Sequence, residues 1–427
     1  MTSQYRVNYH LRAHKRDHLI EFIKGMLLTP FVLHAQPRPL TQPEELAGHT
    51  LHTHRRRSDE AQEENAQRYG EIFADIEQLI DEHRELEQEG IPAYSRLAKL
   101  VPSIGTFFTR LPLRDAFERV NAHDRISARK HVPPSFNDVR RILNIAQVLA
   151  IAPSLKLVTF DGDMTLYDDG KNFEQDNELT HLLIALLRRK IAVAIVTAAG
   201  YGHDPEGYER RLSGLLKGFE AASLSADDVS RFYVLGGECN FLFRCNPNYR
   251  LAYVDDSMYP SEIRSWTDGQ VQMLLDVAEQ ELRDCVRRMS LKARILRKPR
   301  AVGLVPQEQL TREQLDECAL SSQIALLKNQ GSPKSQPCDV PIPFCAFNGG
   351  SDCWVDIGNK LIGVRILQKL LGTTSETTLH VGDQFLSTGN DISTRTACCT
   401  CWIINPQETQ NILTHLESAL ALLSTTS

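Results

Sequence analysis

The sequence offers little to a membrane, a secretory route or a polyanion. None of its apolar runs reaches the roughly 20 residues that a bilayer-spanning helix needs. The stretch MTSQYRVNYHLRAHKRDH lacks the apolar core of a secretory signal. Ten cysteines are present without a spaced framework, so a disulfide scaffold is not expected. Reduced thiols and a cytoplasmic protein are. Cys398 and Cys401 form one C-x-x-C within ACCTCWII, but no second ligand pair stands near it for zinc. That run reads as a buried strand in which cysteine packs as a small hydrophobe. Positive charge is not in excess either. Lys plus Arg is 48 against 54 for Asp plus Glu, a net charge of -6, which argues against nucleic acid and membrane surfaces as partners. Internal repeats and low-complexity tracts are missing too.

What is present is the balance of a soluble globular protein, 42% hydrophobic and 24% charged. A chain of 427 residues exceeds one ordinary core. Residues 1–145 read as a helical N-terminal region, from helical spacing in RDHLIEFIKGMLL and NAQRYGEIFADIEQLIDEH. A loop rich in Pro, His and Arg is expected between them, from Gln36 to Arg57. His10, His14 and His18 are four apart, and His54–Arg57 is a basic run; both read as solvated.

From about Gln147 the pattern becomes α/β. LKLVTF and IAVAIVTAAG are apolar without alternation, as in parallel strands buried on both faces. The amphipathic stretch NELTHLLIALLRR lies between them. Residues 146–204 and 346–427 are therefore expected to form a parallel-sheet core. Residues 205–345 are expected to be an inserted α+β cap, with strands in RFYVLGGECNFLFRC, YRLAYVDD, ARILRKPRAVGLVP and PIPFCAF around two helices.

The chemistry concentrates where the first core strand ends, in TFDGDMTLYDDG. Asp161 and Asp163, two apart on extended backbone, point to one side at the carboxyl end of a strand. Open α/β sheets bind ligands there. Two carboxylates so close call for a shared cation or a retained proton. A lone Asp-x-Asp could equally be a turn, but three further elements follow in order. Thr197 ends the second strand, before the small-residue loop Ala198-Ala199-Gly200, suited to phosphate oxygens. Lys360 opens a helix, where the dipole disfavours a cation unless an anion is near. Asp383 ends the strand of TLHVGD, with Asn390 and Asp391 in the turn beyond it.

These four motifs resemble those of the haloacid dehalogenase superfamily, which implies a Rossmann-like parallel core with a cap. TFDGDMTLYDDG, GGSDCWVDIGNK, GDQFLSTGND and the helical N-terminal region together resemble the fungal and apicomplexan IMP-specific 5'-nucleotidases. That resemblance implies magnesium-dependent hydrolysis of inosine 5'-monophosphate, a homotetramer and activation by ATP. It implies Asp161 as nucleophile and Asp163 as acid and base. A metal site of Asp161, Asp163 and Asp383 is expected. Thr165, Thr197 and Lys360 are expected to grip phosphate, Asp169 and Asp352 to contact the nucleoside, and Asn390 and Asp391 to orient their neighbours. Arg129, Lys130 and His131 are a candidate effector cluster. Other readings of the motifs are a phosphatase for a sugar phosphate or another nucleotide, a phosphomutase, a receiver-like domain and a degenerate core. A receiver needs no acid like Asp163.

Overall fold

LKLVTF does become a strand, and its place in the sheet decides where the chemistry sits. The computed structural model describes residues 17–35, 51–255, 266–330 and 342–426. His10, His14, most of the expected loop after Gln36 and the GSPKSQP linker lie outside them. Residues up to Pro153 form one unit and those from Ser154 another.

The first unit is helical: α1 (His18–Ala35), α2 (Leu51–Gln88), α3 (Leu113–Asp124) and α4 (Phe136–Ile151). Helix α2 begins before Arg57, so the basic run His54–Arg57 is helical rather than loop. Helix α4 carries the unit past residue 145. Tyr69 and Phe73 of α2 pack on Phe117 of α3, with ring centroids 6.0 and 5.1 Å apart. Apolar Ile20, Ile23 and Leu27 of α1 are buried. Helix α4 starts on a capping box in which Ser135 and Asp138 satisfy each other's backbone amides.

In the second unit the strands are β1 (Leu157–Phe160), β2 (Ala192–Val196), β3 (Phe232–Gly236), β4 (Phe241–Cys245) and β5 (Leu251–Tyr253). They continue as β6 (Ala293–Lys298), β7 (Ala301–Pro306), β8 (Phe344–Asn348), β9 (Cys353–Ile357), β10 (Thr378–Gly382) and β11 (Cys399–Trp402). The main sheet runs β11-β10-β1-β2-β3-β4-β5. Its first five members are parallel, and β4 and β5 are antiparallel additions. Strand β1 is central, and all four of its residues are buried. Helix α5 (Leu179–Arg188) joins β1 to β2. Cys398 and Cys401 are buried at β11, as free cysteine in a core strand should be.

The second sheet, β6-β7-β9-β8, is antiparallel. Helices α6 (Asp268–Met289) and α7 (Arg312–Gln330) pack on it over Leu275, Leu282, Leu304 and Val355. This sheet corrects the expected borders. Residues 232–253 pair with the main sheet, and β8 and β9 close the cap as far as Ile357. Strand β3 is as apolar as β2, so periodicity alone does not say which sheet a strand joins. Helix α8 (Lys360–Leu371) follows β9 at once, and α9 (Pro406–Thr426) closes the unit.

Candidate active site

Because β1 lies between β10 and β2, the residues that end these strands meet. The backbone N–H of Asp161 donates to Val381 at 2.9 Å, which sets Asp161 beside the end of β10 and hence beside Asp383. Asp161, Asp383 and Asp391 each offer a carboxylate oxygen within 4.8 Å of the others. Gly162 has no room for a side chain, because a Cβ would strike the Tyr167 hydroxyl.

Lys360 is completely buried and bonds Asp161 Oδ1 at 2.8 Å and Asp391 Oδ1 at 2.7 Å. The anions that justify a lysine at this helix start are therefore the protein's own. Lys360 does not line the cavity, contrary to a direct phosphate grip. Asp391 is the best satisfied carboxylate. Its Oδ1 also meets His380 Nε2 at 3.0 Å, and its Oδ2 accepts from the Gln384 amide at 2.9 Å. Burial works against its charge, yet Lys360 and His380 hold it below the usual carboxylate range. Asp391 is thus fixed between Lys360, His380 and the Gln384 amide.

Asp161 and Asp383 behave oppositely. Burial first, and then neighbouring Asp391, push Asp161 up to about 6, although Lys360 pulls it down. Burial and the charges of Asp161 and Asp391 raise Asp383 well above the carboxylate range. One Asp383 oxygen is buried without a partner. Acidic groups packed this tightly, with a free oxygen between them, fit a divalent cation. Asp161 and Asp383 have the capacity to ligate, whereas Asp391 is already engaged. The Asp163 carboxylate lies outside this triangle: its Oδ1 accepts from Arg211 at 2.6 Å and from the Gly170 amide at 3.0 Å.

Above these carboxylates opens a cavity of about 690 Å³, of a size that takes a drug-sized ligand. Asp161, Asp163, Asp383, Thr197 and Asn390 line its floor, with the backbone of Ala198–Gly200. Asp169 and Asp352 line it as well. The cap contributes Lys298, Arg300, Phe347 and Trp354, with the Lys298 ammonium 4.1 Å from the Trp354 ring centroid. Thr165 is the expectation the structure moves furthest. It is fully buried behind the loop, its carbonyl accepts from Thr409 at 2.7 Å, and it does not line the cavity. Arg129 is bound to buried Asp138 at 2.6 Å, so its guanidinium braces the start of α4. His131 is exposed nearby.

Several residues of the site escaped the motif reading. Glu238 is fully buried, accepts from Asn390 at 2.9 Å and is pushed up to about 7, chiefly by burial. It sits in three successive left-handed residues, Gly237, Glu238 and Cys239, conformations that cost non-glycine residues energy and gather at functional sites. Arg211, Asp356 and His380 were also missed. The available signals were charged or imidazole side chains inside otherwise apolar runs, as in LHVGD and WVDIG.

Comparison with known proteins identifies the family of the chain. The family model of the IMP-specific 5'-nucleotidases matches residues 1–413. The Emericella nidulans IMP-specific 5'-nucleotidase 1 is 41% identical, covering 99% of this chain and 100% of its own. The Yarrowia lipolytica protein of the same name is 43% identical over 97% of both. Among solved structures, N-terminally truncated, IMP-bound Plasmodium falciparum IMP-nucleotidase superposes with a TM-score of 0.80 at 35% identity, over 98% of this chain and 100% of that one. The ATP-bound form of the Plasmodium protein gives 0.76 at 35% identity, over 96% and 87%.

Proposed function

The chain belongs to the IMP-specific 5'-nucleotidase family, and from that and the geometry of the site we propose that it hydrolyses inosine 5'-monophosphate to inosine and phosphate. The observation that carries this is the placing of Asp161. It is a carboxylate at the end of a central strand, facing a nucleotide-sized cavity and held from below by a lysine that solvent cannot reach.

Asp161 attacks phosphorus, forming an aspartyl phosphate as the bond from phosphorus to the ribose oxygen breaks. Asp163 protonates the departing ribose oxygen, then takes a proton from the water that hydrolyses the intermediate. Arg211 and the Gly170 amide hold Asp163 in place for both steps. Thr197 and the amides after it face the phosphate from the end of β2. We assign magnesium to Asp161 and Asp383. When bound it supplies the positive charge that lets an anionic nucleophile approach an anionic phosphoryl group.

The cap wall gives the base preference a physical form. Lys298 and Arg300 can only donate hydrogen bonds. Hypoxanthine presents a carbonyl acceptor at its six position, where adenine presents an amino donor. Lys298 is exposed and Arg300 half-buried, so a donor facing the adenine amino group is disfavoured to the extent that the bound base shields it from water, and AMP should be the poorer substrate. Phe347 and Trp354 offer aromatic surface to the purine.

Activation by ATP and assembly into a tetramer are part of the same proposal. They rest on the family, on the ATP-bound Plasmodium structure and on the size of the helical first unit. Phosphate release measured across purine and pyrimidine monophosphates tests the reading. A clear preference for IMP is expected, and equal specificity constants for IMP and AMP would point to a broad nucleotidase. Free phosphate appearing at the rate of inosine excludes a mutase.

A further inference from the structure

Behind the site lies a buried imidazole that no step above uses. The parallel register of β1 with β10 sets Thr159 directly opposite His380, both of them completely buried. The Thr159 hydroxyl meets His380 Nδ1 at 2.8 Å. On its other side, His380 Nε2 meets Asp391 Oδ1 at 3.0 Å, and that same oxygen bonds Lys360 at 2.7 Å. Lys360 in turn bonds Asp161 Oδ1 at 2.8 Å. A continuous chain of contacts therefore runs from a strand hydroxyl to the nucleophile, out of reach of solvent.

Proton bookkeeping fixes the direction of each bond. Asp391, paired with Lys360, is an acceptor only. Nε2 must then carry the hydrogen, which leaves Nδ1 an acceptor. The Thr159 hydroxyl must donate to Nδ1, although the Leu379 carbonyl at 3.4 Å is an alternative acceptor. The shorter contact wins, and the hydroxyl selects the tautomer. Burial opposes protonation of the ring, so its two faces keep distinct roles, one donor and one acceptor.

We propose that His380 is a positioning residue for phosphate transfer: held in its Nε2–H tautomer by Thr159, it orients Asp391, and through Asp391 it sets Lys360 against Asp161. It touches neither the cavity nor the reacting atoms. It acts as partners behind metal ligands and catalytic side chains do, by fixing orientation. The role rests on the functional reading above, but the tautomer does not.

Two measurements test it. The first is kcat and KM for phosphate release from IMP, per folded molecule, in H380L, H380Q and T159V. Leucine cannot donate to Asp391, so kcat should fall about 10–100-fold, as for lost outer partners of a catalytic group. KM should stay within about twofold, because no ground-state contact with substrate is removed. Glutamine, which can place a donor where Nε2 was, should recover most of that loss. If H380L does not fold, T159V carries the test, with a smaller fall in kcat at unchanged KM. The second measurement is nitrogen NMR of the wild-type imidazole at neutral pH, with hydrogen expected on Nε2 and none on Nδ1. Hydrogen on Nδ1, or a wild-type kcat per folded molecule in H380L or T159V, would overturn the proposal. Wild-type protein that releases no phosphate from IMP, yet shows the Nε2–H tautomer, contradicts the functional reading and leaves the tautomer assignment standing.

Discussion

Asp161 is a carboxylate for which burial, helped by neighbouring Asp391, outweighs the pull of Lys360. Its replacement by asparagine keeps the shape but removes the nucleophile. Turnover should fall at least about a thousandfold, as for a lost covalent catalyst, with the thermal midpoint and circular dichroism little changed. The same crowding makes a prediction about pH. The folded-state value of about 6 lies above the ordinary 3.8, so the cation-free fold binds this proton more tightly than the unfolded chain does. The corresponding stability is fully present below the ordinary value and is lost as pH rises through about 6. Magnesium replaces the proton in that role. In thermal melts, magnesium should therefore raise the midpoint more at about pH 7 than at about pH 5. An equal shift at both would show that the carboxylates are not the binding group.

At the scale of elements, the site depends on how closely β10 approaches the turn that carries Asp391. A methyl group on Gly382 would collide with the Asp391 carboxylate. G382A should push Asp391 off Lys360 and lower kcat about tenfold or more, with a smaller effect on KM. Steady-state kinetics beside a melting curve separates this from simple destabilisation. Strands β1, β2 and β10 were legible in the sequence because burial on both faces leaves a largely apolar run, interrupted only by Thr159, Thr378 and His380, and each run delivers a polar residue to its end. Strand β9 was not, since WVDI leads straight into a helix signal. Strands β3 to β5 were legible as strands but were placed in the wrong sheet, because pairing partners are set by tertiary packing. Lys360 was singled out for a sound reason, a cation misplaced on a helix dipole, and only its counter-ions differed from expectation. Glu238 left no trace that periodicity could catch. Its place depends on three left-handed residues and on Asn390, distant in sequence.

On the scale of the whole molecule, the cap shapes the cavity above the catalytic carboxylates. The cap supplies donors and aromatic rings to the cavity, and the IMP preference is assigned to it. K298A and R300A should narrow the gap between IMP and AMP in kcat/KM without equalising their rates on a simple aryl phosphate. Among its described residues the first unit carries no cluster of acidic, histidine or cysteine side chains that could hold a metal, and its apolar helix faces are expected to serve assembly and the ATP response. Deleting residues 1–60 removes α1 with its buried Ile20, Ile23 and Leu27. Sedimentation should show a changed oligomer, or assays a lost response to ATP, while magnesium-dependent hydrolysis persists. Arg129 already serves Asp138, so R129A should loosen the start of α4, while charge removal at Lys130 should weaken activation by ATP more than it changes the basal rate.

No described helix is long and apolar enough to cross a membrane. The most direct measurement is phosphate release from IMP by wild type and D161N, with magnesium and with a chelator in its place. Release by the wild type with magnesium alone, and by D161N under neither condition, is the predicted result. Release that survives exhaustive chelation, or turnover by D161N near the wild-type rate, would contradict the assignment of this site.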